Sequence, residues 1–489
     1  MKDLKEKTIR GGSVRVCSQA AVLLLRVGSL ALLARLLDPT DFGLLSMVTA
    51  FTGVLNLFRD FGLSTATIQR ATITEQETST LFWINILVGA LLTVVALVFA
   101  PTVGSFYREP RLFWVTIAVA PGFLFNAAGI QHSALLQRQM RFTALASIDL
   151  LSLIASSVTA VVMAKAGYGY WALIAMSVSL PLFTTVGLWL VSGWVPGRPH
   201  RCESLLSIMR FGGTLTLNGL VLYVSSNLEK VLLGRFWGAE AIGLYGRAYQ
   251  LIRIPTDNLN SAVGQVAFSA LSRLRDEPAR LRNYFLKGYS LVLAINILIT
   301  MACAFFADDI IRLLLGPKWT GAAVLLRLLS PTILVYTIAS PLGWLLDALG
   351  LVGRGLKIAL AFAPFMIAGT LVGLPYGPEG VAFAYSSVMI LWVVPVVVWA
   401  VHGTAISFKD VVKAVKQPLF SGLVAAGVAF GVRLCCGQSL TILLRLALEG
   451  TVLLGAYVAM LLYVMGQKSF YVDLLRQMIG RSSVAAVSG

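Results

Sequence analysis

The sequence predicts an all-α membrane protein of about fourteen transmembrane helices: two six-helix lobes related by a parallel repeat, followed by two additional C-terminal helices. Three observations carry this reading. Composition is the first: 57% of residues are apolar, only 12% are charged, and the mean hydropathy is +0.83. A chain of this kind cannot cover itself with the polar surface a soluble domain needs, so lipid is the solvent for most of it. Second, apolar stretches of about 20 residues recur from end to end, each long enough to cross a hydrocarbon core of about 30 Å. Third, Lys and Arg concentrate in alternate breaks between those stretches, so the net charge of +17 reads as membrane topology and not as a nucleic-acid-binding surface.

Taken in order, spans are expected near residues 11–36, 41–60, 78–104, 112–137, 142–166, 169–193, 207–235, 239–270, 283–307, 320–349, 354–374, 378–402, 416–436 and 439–465. The Lys-rich start resembles a signal peptide, but Arg26 interrupts its apolar run and further spans follow, which predicts an uncleaved first helix. Placing both termini in the cytoplasm puts Lys2, Lys5, Lys7, Arg198, Arg201, Arg273, Arg280, Lys409 and Lys413 on the inside, in accord with the positive-inside rule.

ARLLDPTDFGLL at 34–45 and GRFWGAEAIGLY at 234–245 share an Arg, a Gly and the following Leu in register. A repeat of this offset contains an even number of spans, so both copies enter the membrane in the same sense and pair about an axis along the membrane normal. The expected organisation is an N-terminal lobe over 1–198, a second lobe over 199–403, and two added helices with a cytoplasmic tail over 404–489.

Charged residues within spans are the candidate functional groups, because an Arg at membrane depth costs about 2.5–3.5 kcal/mol unless it faces something polar. Arg15 and Arg26 fall within roughly 20° of one another around the first helix, with Gln19 and Ser29 on the same face, a cationic stripe suited to a water-filled cleft. Snorkelling to the interface is the other reading of Arg15. In the second span Ser46, Thr49, Gly53, Asn56 and Asp60 follow helical spacing with Arg59 alongside; helix packing, an interfacial Arg59–Asp60 pair and cleft lining all fit. The seventh span offers Asn218, Ser225 and Glu229, with Lys230 adjacent to neutralise the acid. The eighth carries Arg247, Tyr249, Arg253, Asp257 and Asn260 around a kinking Pro255, and Arg253 and Asp257 are spaced to form an ion pair. Asp149 in the fifth span is a proton or cation relay or a hydrogen-bonded packing residue, and Arg327, Asp347, Arg445 and Glu449 are further ionisable groups within spans.

The candidate site residues are therefore Arg15, Gln19, Arg26, Asn56, Arg59, Asn218, Arg247 and Arg253 for a substrate-binding cationic cleft, and Asp149, Glu229 and Asp257 for ion or proton coupling. No metal, cofactor or catalytic site is expected. The three His are dispersed, no glycine-rich phosphate loop occurs, and the five Cys lack metal or redox spacing. Asp38 and Asp41 would suit a membrane glycosyltransferase or polymerase, but DPTD is also ordinary turn chemistry and no long external loop accompanies it.

The segment NLEKVLLGRFWGAEAIGLYGRAYQLIRIPTDNLNSAVGQVAFSALSRL at 227–274 resembles the colanic-acid exporter group of polysaccharide flippases, and ARLLDPTDFGLLSMV and FRDFGLSTATIQR in the first lobe fit the same family. These proteins share a superfamily with multidrug and toxin extruders and peptidoglycan-lipid flippases. The resemblance implies a V-shaped pair of lobes that moves an undecaprenyl-diphosphate-linked oligosaccharide across the bacterial inner membrane by alternating access, with bilayer lipid and the polysaccharide polymerase and export machinery as partners. Arg15, Arg26 and Arg253 would then meet the diphosphate or acidic sugars. Many family members have Asp where this chain has Glu229, which leaves the role of that acid open. The alternative on the same fold is drug–cation antiport, which calls for acidic cleft residues where this stripe is net basic.

Overall fold

A computed structural model describes residues 21–60, 63–69, 73–199, 205–436 and 441–468, and among these the chain is almost wholly helical, with no strand. The expectations at Arg15 and Gln19 lie outside the described residues.

The order opens with α1 (residues 21–36), α2 (Pro39–Leu57), the short α3 (Leu63–Gln69), α4 (Glu75–Tyr107), α5 (Arg111–Val119) and α6 (Pro121–Arg138). It continues with α7 (Phe142–Lys165), α8 (Trp171–Ser192), α9 (Leu205–Arg273), α10 (Pro278–Phe305), α11 (Ala307–Leu314) and α12 (Thr320–Leu329). The last five are α13 (Pro331–Ala348), α14 (Val352–Gly373), α15 (Gly377–Val401), α16 (Phe408–Cys436) and α17 (Ile442–Ala459).

Local chemistry explains where these helices start and break. Pro39 occupies the first turn of α2, where its missing N–H costs nothing, and the Asp38 N–H donates to Asp41 Oδ2 at 3.1 Å. The DPTD acids thus begin a helix. At α4 the Glu77 N–H donates to Thr74 Oγ1 at 3.1 Å while the Thr74 N–H donates to Glu77 Oε2 at 2.9 Å, a reciprocal cap. Pro331 stands at a 46° bend between the segments Pro317–Leu329 and Pro331–Ala348. In α9 the helix is broken at Gly238, whose φ of 81° is a conformation that side-chain-bearing residues rarely adopt. Its two arms correspond to the expected seventh and eighth spans.

Helix occupies each of the expected spans over the described residues. By length and apolarity alone, nine helical stretches among the described residues can cross a membrane, or ten with the bent pair counted as one. One of them, Gly353–Val401, is 49 residues long and contains both α14 and α15, more than twice the length one crossing needs.

The chain divides into two compact units, Met1–Gly246 and Arg247–Gly489. In the first, Leu44, Met47 and Val48 of α2 pack with Val103 and Tyr107 of α4, Leu112 and Val115 of α5, Ile174 of α8 and Ile242 of α9. In the second, a single core joins Phe285, Tyr289 and Ile297 of α10 to Leu342 and Leu345 of α13, Val397 of α15, Ala425 and Ala426 of α16, and Leu453 and Tyr457 of α17. The two C-terminal helices are therefore integral to the core of the second unit.

That unit also buries an ionic cluster. Asp309 of α11 accepts from Arg445 of α17 and lies 3.3 Å from Arg433 of α16, whose Nε is 4.0 Å from Glu449. Both acid side chains are 1% exposed. Arg433 also donates to the Phe305 carbonyl at 3.1 Å, tying the end of α10 to the same cluster. Two acids and two arginines make the group neutral, which is how charges persist away from water. Arg327, read from sequence as a charge within a span, pairs with Asp308 at 2.6 Å on the neighbouring segment.

Candidate functional site

Each unit presents polar groups of its own. In the first, Arg26 on α1 is exposed, nine residues before a second exposed arginine, Arg35, and its charge acts on Asp149 of α7. One turn further along α1, Ser29 donates to Ser157 of α7 at 2.9 Å. The two helices are thus held side by side by a buried hydroxyl pair beyond a cation and an acid. Asp149 is exposed at the surface of α7.

A second group forms where α2 ends. Arg59 donates to Asn126 Oδ1 of α6 at 3.5 Å. Asp60 is engaged elsewhere: the Ser64 N–H donates to its Oδ1 at 3.0 Å and the Ser64 hydroxyl to its Oδ2, so the acid starts α3 in place of pairing with its neighbour. Arg59, Asp60, Asn126, Ser133, Gln137 and Thr185 line a cavity of about 260 Å³. The Arg59 Nε there is buried without a hydrogen-bond partner. Asn56 is exposed and donates to the Thr52 carbonyl at 3.1 Å, one turn back on its own helix. Ser46 bonds the Phe42 carbonyl and Thr49 the Ser46 carbonyl, so both satisfy their hydroxyls within α2.

On α9, Glu229 is 1% exposed and its Oε1 has no hydrogen-bond partner, while Lys230 donates to Asn227 Oδ1 at 2.8 Å. The two neighbours in sequence point to different surroundings. The Asn218 side chain lies outside the described residues.

The second unit contains the most elaborate grouping. Arg253 Nε is 3.2 Å from Asp257 Oδ2, one turn apart on α9, with the side chains 37% and 54% exposed. The guanidinium lies over the ring of Tyr336 from α13 at 4.8 Å and near that of Tyr249 at 6.0 Å. The Tyr336 and Tyr385 hydroxyls are 2.8 Å apart, and each is 3.4 Å from the Tyr249 hydroxyl. The rings of Tyr249 and Tyr336 thereby hold one arginine in place, with Tyr385 of α15 tying their hydroxyls together, while part of the arginine stays accessible. Cation–π contact and the Asp257 pair fix the planar guanidinium, and its remaining N–H donors stay available for an oxyanion. Arg247, two turns before, bonds Gln250 on the same helix.

Tyr336 and Tyr385 did not figure among the sequence-derived site residues. Their only sequence signal is a hydroxyl on each of two apolar helices. Asn126 and Gln137 were missed likewise, because a single amide in a span carries no periodic pattern.

Long apolar helices and polar clusters inside both units define a multi-pass membrane protein of transporter type. Residues 32–324 match the family model described as polysaccharide biosynthesis protein, and the chain belongs to that family. Among its relatives, the lipopolysaccharide biosynthesis protein WzxC of Escherichia coli (strain K12) is 27% identical over 79% of this chain and 80% of its own length. The teichuronic acid biosynthesis protein TuaB of Bacillus subtilis (strain 168) is also 27% identical, over 72% of this chain and 73% of its own. In structure the chain is similar to the lipid II flippase MurJ in its inward closed conformation, with a TM-score of 0.73 at 14% identity, covering 94% of this chain and 99% of that one. A multidrug resistance transporter of the MATE family, in an inward-facing conformation, matches with a TM-score of 0.62 at 12% identity over 83% and 99%. At such identities these likenesses establish the fold.

Proposed function

We propose that the chain is a flippase that carries undecaprenyl-diphosphate-linked oligosaccharide units from the cytoplasmic to the outer leaflet of the bacterial inner membrane, for surface polysaccharide synthesis. The observation that carries this reading is the pair of arginines with accessible side chains, Arg26 and Arg253, the latter braced by Asp257 and the rings of Tyr336 and Tyr249. An anionic diphosphate and a polar glycan are both costly in hydrocarbon. Charge-assisted bonds from Arg offset the first cost, and hydroxyl and amide groups such as those of Tyr336, Asn56 and Asn126 offset the second. Relatives named for lipopolysaccharide, teichuronic acid and succinoglycan biosynthesis, the last as a transport protein, support the substrate class.

In this reading the lobes are 1–198 and 199–403, both termini are cytoplasmic, and the turn at Asp38 and the bend at Gly238 are external. The arginines Arg15, Arg26, Arg59, Arg247 and Arg253 and the amides Gln19, Asn56 and Asn218 serve the substrate, while Asp149, Glu229 and Asp257 serve coupling. Glu229 is the strongest coupling candidate, since a buried carboxyl with an unsatisfied oxygen gains most from a proton or cation.

Arg26→Ala, expressed at the parent level, is expected to reduce polymer export at least tenfold and to accumulate lipid-linked units in the inner leaflet, which protease-free lipid extraction with leaflet-selective labelling detects. A normal polymer yield from that variant would remove the basis for the proposal.

A further inference from the structure

The wall of the cavity where α2 ends carries donors and acceptors that define a ligand. Its volume of about 260 Å³ is below the roughly 300–1,000 Å³ of pockets for drug-sized molecules, which limits it to one ring-sized group. Arg59 and Asp60 both line it, so its charges balance. Asp60 accepts from the Ser64 N–H at 3.0 Å and, through its other oxygen, from the Ser64 hydroxyl, which leaves a lone pair on each carboxylate oxygen. Asn126 donates to the Gly122 carbonyl at 2.9 Å and Gln137 to Ser133 Oγ at 3.2 Å, each with one of its two amide protons. Arg59 Nε, buried in the same wall, has no hydrogen-bond partner. Pro181 and Leu188 of α8 add an apolar strip, and Gln137, which is exposed, stands at the mouth.

We propose that this cavity is a subsite for one uncharged sugar of the lipid-linked glycan, and that the diphosphate binds elsewhere. The inference rests on the transport reading above, which puts the end of α2 on the cytoplasmic side, opposite the Asp38 turn, where substrate is loaded. A ligand for this wall must both donate and accept, and a hydroxyl does both. An anion brings acceptors only and would meet the Asp60 carboxylate, while a cation would meet Arg59. Neighbouring hydroxyls of a sugar ring satisfy the two together: the carboxylate accepts the proton of one, and the guanidinium donates to the oxygen of the next. The amides of Asn126 and Gln137 reach further hydroxyls, and the strip at Pro181 and Leu188 takes the C–H face of the ring. Arg253 differs in kind. Its acid, Asp257, is bonded to the arginine itself, and its remaining donors suit an oxyanion. Arg59 and Arg253 therefore read different parts of one substrate, the first its sugar and the second its charge.

Native mass spectrometry of the full chain from lipid nanodiscs tests this, with undecaprenyl diphosphate and the same lipid bearing one glucose, galactose, N-acetylglucosamine or glucuronic acid residue as probes. At least one neutral sugar should raise the affinity about tenfold over the bare lipid, the effect of one or two neutral hydrogen bonds. Glucuronic acid should gain less. Ser133→Leu, which fills the cavity, and Gln137→Leu, at its exposed mouth, should erase the gain from the neutral sugar and leave binding of the bare lipid unchanged. Arg253→Ala should weaken bare and glycosylated lipids by the same factor and keep the gain. The subsite is overturned if no neutral sugar improves on the bare lipid, if glucuronic acid gains most, or if the gain survives in both cavity variants. Should Ser133→Leu fail to fold, Gln137→Leu decides, because an exposed rim residue is not needed for packing. A parent that binds none of these lipids refutes the flippase reading, and the cavity is then tested by itself. In a chain with the five native cysteines replaced by Ser, Ser133→Cys should react with a small maleimide more slowly in the three free neutral sugars than in glucuronate, and equal rates overturn the subsite.

Discussion

Arg253→Ala is expected to lower export by roughly 10- to 100-fold at unchanged expression, corresponding to one charge-assisted hydrogen bond of about 1.5–3 kcal/mol. Arg253 is held between Asp257 at 3.2 Å and the face of Tyr336 at 4.8 Å, so its donors are oriented before any ligand arrives. Arg253→Lys keeps the charge but loses the planar fork and much of the stacking, and it should recover only a small part of the export. Tyr336→Phe retains the aromatic face and removes the 2.8 Å hydroxyl contact with Tyr385; its expected loss is two- to fivefold, near the value of about 1 kcal/mol for one neutral hydrogen bond. The comparison is made by quantifying surface polymer in a strain whose own copy is deleted. If lysine restored full export, a point charge would suffice and the bracing by tyrosines would have no functional role.

Asp309→Ala is expected to be the most destabilising single change in the second unit, by about 3–5 kcal/mol, because it strands Arg433 and Arg445 in a site built for a neutral cluster. The loss should show as a lower thermal midpoint of the purified protein in detergent. Removing the opposing charge as well, in Asp309→Ala with Arg445→Met, should restore part of the stability, since an apolar replacement of a buried pair is often close to neutral. An Asp309→Ala chain that melts with the parent would mean that the cluster is well hydrated. The prediction also separates stability from transport. The cluster ties α11, α16 and α17 together and contributes no group to the proposed substrate site, so export per folded molecule should be preserved.

Spacing along the chain proved informative where function depends on one helix. The Arg253–Asp257 pair, the break between the seventh and eighth spans and the polar face of α1 at Arg26 and Ser29 all follow from helical periodicity, because residues three or four apart share a face whatever the rest of the protein does. Adjacent residues were harder to read. Glu229 and Lys230 project about 100° apart, so Lys230 bonds Asn227 while its charge still acts on Glu229, and Asp60 next to Arg59 bonds Ser64.

The opening inference of a lipid-embedded helical protein needed only composition, hydropathy and the distribution of Lys and Arg, since burying backbone polar groups in hydrocarbon permits little besides helices and closed barrels. The repeat was legible too, through Gly43 and Gly243, but its meaning was not: a sequence records that two segments are alike, and only the folded chain places Gly43 against the Ala239 carbonyl and Gly243 against the Pro39 carbonyl. Tyr336 and Tyr385 converge on Tyr249 across 87 and 136 residues, and Asp309 reaches Arg445 across 136 residues. Periodicity states which face of a helix is polar. Which faces meet is decided by packing among all the helices at once, and that information resides in the tertiary structure.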